Sequence, residues 1–353
     1  MLDRPLSHRT FSRRSFSLAL TAGVTTAFAS RPLAFAQATP ADRSQVSLGW
    51  SDDLEADSGK LKVATTVAPI SSIVRNIGGT AIDLRGIVPD GTNSHTFEPA
   101  PSDAITLCHA GIVIVNGLSL ETPTMELAEA NLQEGAEIFS LGDKTITEDE
   151  YKYDFSFPKD GGKPNPHLWM NVPFAINYAR LVSAELSRID SANATTYTGN
   201  LDRYLDLLER LDTGIATAVQ TIPEANRKLL TYHDSWAYFA DRYGMTVIGA
   251  IQPSDFAEPS PRDVADLIDQ IRDEQVPAIF GSEVFPSPVL EQIAKESGAT
   301  YIDDLRDDEP PGEPGDPDHT YVGMMLKDMA IMIPALGGTI DALTGIDPFD
   351  TYA

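Results

Sequence analysis

A run of apolar residues at helical spacing divides this chain of 353 residues near its middle. Leu201, Tyr204, Leu208, Leu211, Ile215, Ala218 and Ile222 follow one another at alternating steps of three and four, which places them on one stripe of an α-helix. Ser191 offers an N-cap, and Pro223 stops the pattern because it has no N–H to give to the preceding turn. A helix over 192–222 would reach about 45 Å at 1.5 Å per residue, longer than most helices of globular proteins. Gly199 and Gly214 each weaken its interior by roughly 1 kcal/mol, so two core helices broken at Gly199 also fit the pattern. The sharper expectation is a strut with a separate lobe on either side.

Both flanks alternate strand and helix. Before the strut, strands are expected over 62–67, 82–88, 112–115 and 137–141. A helix opened by Pro69 carries Ile70, Ile73, Val74 and Ile77 on one face, and Gly78-Gly79 ends it. Another helix starts at Ser102-Asp103. After the strut, strands are expected over 228–232, 246–251, 278–281 and 300–302. Helices are expected over 235–243, 261–274 and 288–297, with a last one from Tyr321. This alternation gives an α/β fold: two lobes, each a mostly parallel sheet flanked by helices, joined by one long helix. The lobes are placed at 60–191 and 223–345, and 346–353 reads as a tail. Met324, Met325, Met329 and Met332 on the last helix read as core filling.

The first residues read as an export address. Ser12-Arg13-Arg14-Ser15-Phe16 is a twin-arginine pattern, followed by an apolar run and then Ala34-Phe35-Ala36, a cleavage signal. Cleavage is therefore expected after Ala36, or after Ala38, which removes residues 1–36 and leaves 37–59 as a flexible leader. The expected location is the periplasmic or extracellular side of the cell envelope. The apolar run is too short and too polar to anchor in a membrane, so no transmembrane segment is expected in the mature chain. The formal net charge of −26 becomes −30 once five arginines and one aspartate leave with the leader. So acidic a chain argues against a nucleic-acid partner. The lone cysteine, Cys108, permits no internal disulfide, although the expected compartment is oxidising. No cysteine lies near the expected cleavage site to carry a lipid.

Histidine is rare, six in the chain. His95 follows the turn-rich stretch Pro89-Asp90-Gly91-Thr92-Asn93, and His167 sits in Asn165-Pro166-His167. Beyond the strut, His233 follows a strand directly, and Asp307 and Asp308 lie in an acidic, proline-rich loop over 303–318. Ligands of open α/β sheets gather beyond the carboxyl ends of strands. Three imidazoles and a carboxylate, two from each flank, fit a metal site in the cleft between lobes, suited to Zn²⁺ and also to Mn²⁺ or Fe²⁺. Four protein ligands would close a tetrahedral shell and leave no water to activate, which favours carriage over catalysis. There is no His-Glu-x-x-His, no Gly-x-Ser-x-Gly and no phosphate-cradling glycine loop. A zinc-dependent hydrolase and a metal-stabilised adhesion or interaction protein are the alternatives. His109 reads as a surface or packing residue, and His319 as a solvated loop residue, with a transient metal contact as the alternative. Asp234 and Glu283 are candidates to orient the imidazoles, or are helix-start acids.

In order along the chain, several stretches are recognisable. They are Asn93-Ser94-His95-Thr96-Phe97-Glu98-Pro99 with Asp103, Asn116-Gly117, and Asn165-Pro166-His167-Leu168-Trp169. Then come Tyr232-His233-Asp234-Ser235 with Tyr238-Phe239-Ala240, and Leu305-Arg306-Asp307-Asp308 ahead of Thr320-Tyr321. With these the chain resembles the zinc/manganese-binding solute-binding proteins of bacterial ABC transporters, over nearly all of residues 60–340. The resemblance implies two α/β lobes joined by one long helix, with the ion between them. It implies His95, His167, His233 and Asp308 as ligands, with Asp307 as rival for the last position. It further implies an ABC permease and its ATPase as partners, no enzymatic activity, and a monomer. A histidine at the third ligand position, His233 here, implies zinc rather than manganese. Ser94 stands where proline is frequent in the family, and the region 142–164 holds no histidine-rich stretch.

Overall fold

The computed structural model describes residues 47–48, 58–252, 258–282 and 288–352. The twin-arginine leader, nearly all of the expected flexible segment and Glu283 lie outside the described residues. The first half runs β1 (Ser47–Leu48), β2 (Leu61–Thr65), α1 (Ala68–Gly78), β3 (Ile82–Gly86), α2 (Pro101–His109), β4 (Ile112–Val115), α3 (Thr122–Asn131) and β5 (Glu137–Ser140). Its sheet has the order β1-β3-β2-β4-β5. β1 pairs antiparallel with β3, and the other pairs are parallel. The second half runs β6 (Lys228–Thr231), α6 (Ala237–Tyr243), β7 (Thr246–Ala250), α7 (Pro261–Asp273), β8 (Ala278–Ser282), α8 (Pro288–Ser297), β9 (Thr300–Leu305) and α9 (Tyr321–Ala335). Its four strands are parallel, in the order β7-β6-β8-β9.

Between the sheets lie α4 (Val172–Ile189) and α5 (Ala194–Gln220). α5 is the expected strut, unbroken at Gly199 and trimmed by two residues at each end. Asn193, not Ser191, is its N-cap. Gly214 has a reason to be glycine. A Cβ there would come within 2.8 Å of Leu343 and 3.1 Å of the Ala342 carbonyl oxygen, so the later chain can pass close only because the side chain is missing. α4 packs along α5, with Ala175, Tyr178, Ala179, Val182 and Leu186 fully buried.

The largest core belongs to both halves. One continuous apolar cluster joins Ile70, Ile73, Val74 and Ile77 of α1 to the buried faces of α4 and α5, then to Trp236 and Phe239 near α6 and to the methionines of α9. The four α1 side chains are fully buried, each stabilising the fold by about 1.5–3 kcal/mol. The methionines fill core as expected. A smaller cluster lies under α7 and α8, and another under α2 and α3. The C-terminal segment packs back onto the first half. Asn76 Nδ2 donates to Asp350 Oδ1 at 2.8 Å, and Arg203 Nε to the Thr351 carbonyl at 3.0 Å. Among the described residues no helix is long and apolar enough to cross a membrane.

Candidate metal centre

Parallel sheets leave their carboxyl strand ends free for function, and the chain uses them. The connection after β3 carries Ser94 and His95. His233 lies two residues beyond β6. Asp307 and Asp308 follow β9. His167 ends the long connection from β5 to α4 and begins a short 3₁₀ turn, Leu168–Met170.

The three imidazoles meet. Nε2 of His95 is 3.2 Å from Nε2 of both His167 and His233, and the latter two are 3.0 Å apart. His167 and His233 are buried, while His95 keeps partial exposure. Nδ1 of His167 lies 2.7 Å from Asn165 Oδ1. That amide is oriented by its nitrogen, which donates to Asp154 Oδ2 at 3.0 Å and to the Asp234 carbonyl at 2.7 Å. Nδ1 of His233 lies 2.8 Å from Gln252 Oε1. Carbonyl oxygens accept only, so in both rings the proton sits on Nδ1 and the Nε2 lone pair faces inward. Burial, reinforced by the neighbouring imidazoles, pushes His95 and His167 well below the usual histidine range. Neutral rings with lone pairs converging on one point are what a cation requires. Tetrahedral zinc at about 2.05 Å from each nitrogen would set them about 3.3 Å apart, close to the spacing present.

Two carboxylates stand beside them. One ligand atom each of His233, Asp307 and Asp308 lies within 4.8 Å of the others. Asp307 Oδ2 is 3.8 Å from His233 Nε2. Ser94 Oγ donates to Asp308 Oδ2 at 3.0 Å across the cleft. Burial raises both carboxyl pKa values; repulsion from Asp308 adds to the rise at Asp307, while His233 and Ser94 offset part of it at Asp308. Trp169 Nε1 donates to the Asp307 carbonyl at 2.7 Å. Phe157 and Trp169 wall the imidazoles, with ring centroids 5.8 and 5.1 Å from that of His167. A cavity of about 270 Å³ opens beside His95 between Leu118, Leu120, Phe157 and Pro164.

The structure thus brings together His95, His167, His233 and both aspartates. Other expectations need correction. Asp234 does not orient an imidazole. Its carboxylate accepts from the Ser156 amide at 2.7 Å and faces the Asp154 carboxyl. The orienting groups are Asn165 and Gln252, which the sequence reading missed as such. Asn165 sits two residues before His167 and Gln252 two residues past β7, but an amide side chain carries no signal of burial. His319 is not solvated. It is buried, 3.5 Å from Asp90 and 3.2 Å from the Pro311 carbonyl. The acidic loop is likewise divided, with Asp307 and Asp308 buried and 312–318 exposed. His109 is a surface residue, its Nδ1 on the Ile105 carbonyl at 2.8 Å.

Residues 63–333 match the family described as ZnuA, zinc-uptake complex component A, periplasmic. The chain belongs to this family. As a ZnuA-family member it is similar to the manganese ABC transporter substrate-binding lipoprotein PsaA of Streptococcus pneumoniae, 29% identical over 278 residues, covering 77% of this chain and 87% of that one. It is similar to the iron-binding protein YfeA of Yersinia pestis, 28% identical over 266 residues, covering 75% and 83%. Among solved structures, the periplasmic zinc binding protein TroA of Treponema pallidum superposes with a TM-score of 0.71 at 26% identity, covering 79% of this chain and 99% of that one. ZnuA-family members are the metal-binding, substrate-binding components of transporters, and nothing in the site points to catalysis. The relatives' names carry three different metals, so membership fixes a divalent metal without choosing one.

Proposed function

We propose that this protein is an exported receptor that captures a divalent transition metal, zinc first and manganese or iron next, and hands it to an ABC permease driven by its ATPase. The observation that carries the reading is the convergence of three Nε2 atoms, two of which, on His167 and His233, have their protons drawn away to Nδ1 by neighbouring carbonyl oxygens. His95, His167, His233 and Asp308 are the proposed ligands, with Asp307 the neighbour able to replace Asp308. Three nitrogens and one oxygen suit Zn²⁺ better than Mn²⁺, which favours oxygen-rich, six-coordinate shells. The partly exposed His95 beside the open cavity is the side from which an ion would enter.

The test is calorimetry on chelator-stripped protein. His233→Ala should keep the fold and weaken zinc binding more than 100-fold; unchanged affinity would refute the ligand set. Elemental analysis of protein taken from its native compartment without added metal should return zinc. We also propose the twin-arginine route for export. It rests on Arg13-Arg14 and the run that follows, and a reporter fused to residues 1–38 should stay inside cells that lack that machinery.

A further inference from the structure

We infer that Ser94 is a specificity-determining residue that limits Asp308 to one oxygen and thereby tilts the site toward zinc and away from manganese. The inference rests on the cargo reading above and deepens it.

Ser94 and Asp308 are buried, with 3% and 6% of their surfaces exposed. They come from opposite sides of the cleft, 214 positions apart in the chain, and Ser94 Oγ donates to Asp308 Oδ2 at 3.0 Å. Asp308 Oδ1 is also buried, and accepts no hydrogen bond among the described residues. A carboxylate fixed in this way has one oxygen occupied by a hydroxyl and the other available. Its readier donor to an ion is Oδ1, because Oδ2 is held in place by the Ser94 hydroxyl. Three imidazoles and one oxygen make four ligands, the number tetrahedral zinc takes. Manganese prefers more donors, oxygen above all. One way to supply one from the buried side of the site is for the Asp308 carboxylate to turn and bind through both oxygens. Ser94 opposes that turn, because Oδ2 would have to give up its hydrogen bond in a place where water does not replace it. The effect is selective by its nature. It costs zinc little, since zinc does not need the second oxygen.

The hydroxyl is suited to this task in one further respect. Ser94 immediately precedes His95, so the residue that restrains the carboxylate is covalently next to the most exposed imidazole. The His95 backbone is itself placed by its N–H donating to Asn93 Oδ1 at 2.9 Å. One short loop therefore presents both the entering ligand and the restraint on the opposite one.

The experiment measures zinc and manganese affinities by chelator competition on the full mature chain. It compares the parent with Ser94→Ala, Ser94→Thr and Ser94→Ala in an Asp308→Asn background. In Ser94→Ala the ratio of zinc to manganese affinity should fall at least tenfold. X-ray absorption should show the donors around bound metal rising from four toward five. Ser94→Thr keeps the hydroxyl and should restore the parent ratio within threefold, which a general loosening of the loop would not do. With Asp308 already changed to Asn, removing the hydroxyl should no longer alter the ratio. A ratio unchanged within threefold in Ser94→Ala, with zinc still bound, overturns this inference and leaves the cargo reading intact. A parent that binds neither ion overturns both.

Discussion

The two halves of this protein hold their proposed metal ligands by different means. In the second half the sheet does the holding. His233 is two residues past β6, and backbone bonds continue beyond the strand on both sides. The Tyr232 amide donates to the Phe280 carbonyl at 2.8 Å, and the Gln252 amide to the Tyr232 carbonyl at 3.0 Å. In the first half the ligands ride on long connections, and side-chain amides replace the ladder. Asn93 takes the His95 amide, Asn165 takes the His167 amide at 3.1 Å, and Asn116 Nδ2 donates to the Pro166 carbonyl at 2.9 Å. A loop far from a strand end has no neighbouring backbone to pair with, so its buried polar groups must be satisfied by side chains. The lesson is that the first half's geometry is more easily lost by single substitutions.

The largest expected effect that tests this contrast is at Asn165. It orients the His167 ring, takes the His167 amide and reaches across to the Asp234 carbonyl. Removal of a group that orients a ligating imidazole commonly costs 10–100-fold in metal affinity. Asn165→Ala should therefore lose about 100-fold in zinc affinity. Gln252→Ala, which frees a ring already held by its strand, should lose about tenfold. Titration of both variants against the same chelator decides it. Equal losses would remove the distinction between the halves.

This division also explains what could be read from sequence. β2 to β9 and α1, α5, α7 and α8 were legible because their apolar residues keep strict spacing, whereas β1 lies in the segment expected to be a flexible leader. α3 and α4 were not. On α3 only Thr124 and Ala128 are buried. On α4 partly buried Phe174, Ile176, Leu181 and Ile189 surround the fully buried face, so no single stripe stands out. β9 runs to Leu305 rather than stopping at Ile302, because this edge strand leaves Asp303 exposed and pairs the partly buried Asp304 with Arg306 and Lys327. At the site, three rare histidines and an aspartate pair could be picked out by type. Their orienters could not, since Asn and Gln are usually exposed and only the fold shows which are enclosed. His319 was misread for the same reason. Its partner Asp90 lies 229 positions earlier, and no local pattern announces such a pair.

A smaller effect is expected at Trp169, where the two halves meet. Its indole N–H reaches the Asp307 carbonyl from the first half, and its ring lies edge-on to His167. Trp169→Phe keeps an aromatic wall but strands a buried carbonyl, costing about 1–3 kcal/mol. Denaturant unfolding of the metal-free protein should show that loss. Zinc affinity should fall by less than in Asn165→Ala, because the imidazole keeps its amide partner. A loss of affinity as large as that of Asn165→Ala would place the indole among the principal supports of the site.

The smallest effect is expected at Thr231, and it is the sharpest check on the second half. Thr231 Oγ1 donates to the His233 carbonyl at 2.7 Å, in a fully enclosed position at the end of β6. Viewed locally, this bond resembles those that Asn93 and Asn165 make, a side chain bracing a ligand two residues away. The surroundings differ. The Ile251 amide donates to the Thr231 carbonyl at 3.0 Å, and the Tyr232 and Gln252 amides continue the pairing, so the backbone through His233 is already tied to strands on either side. Thr231→Val removes the hydroxyl at nearly constant volume. It should cost about 1 kcal/mol of stability and change zinc affinity by less than threefold. If the affinity instead fell tenfold or more, the strand pairing would not be what fixes His233, and both halves would depend alike on side-chain bracing.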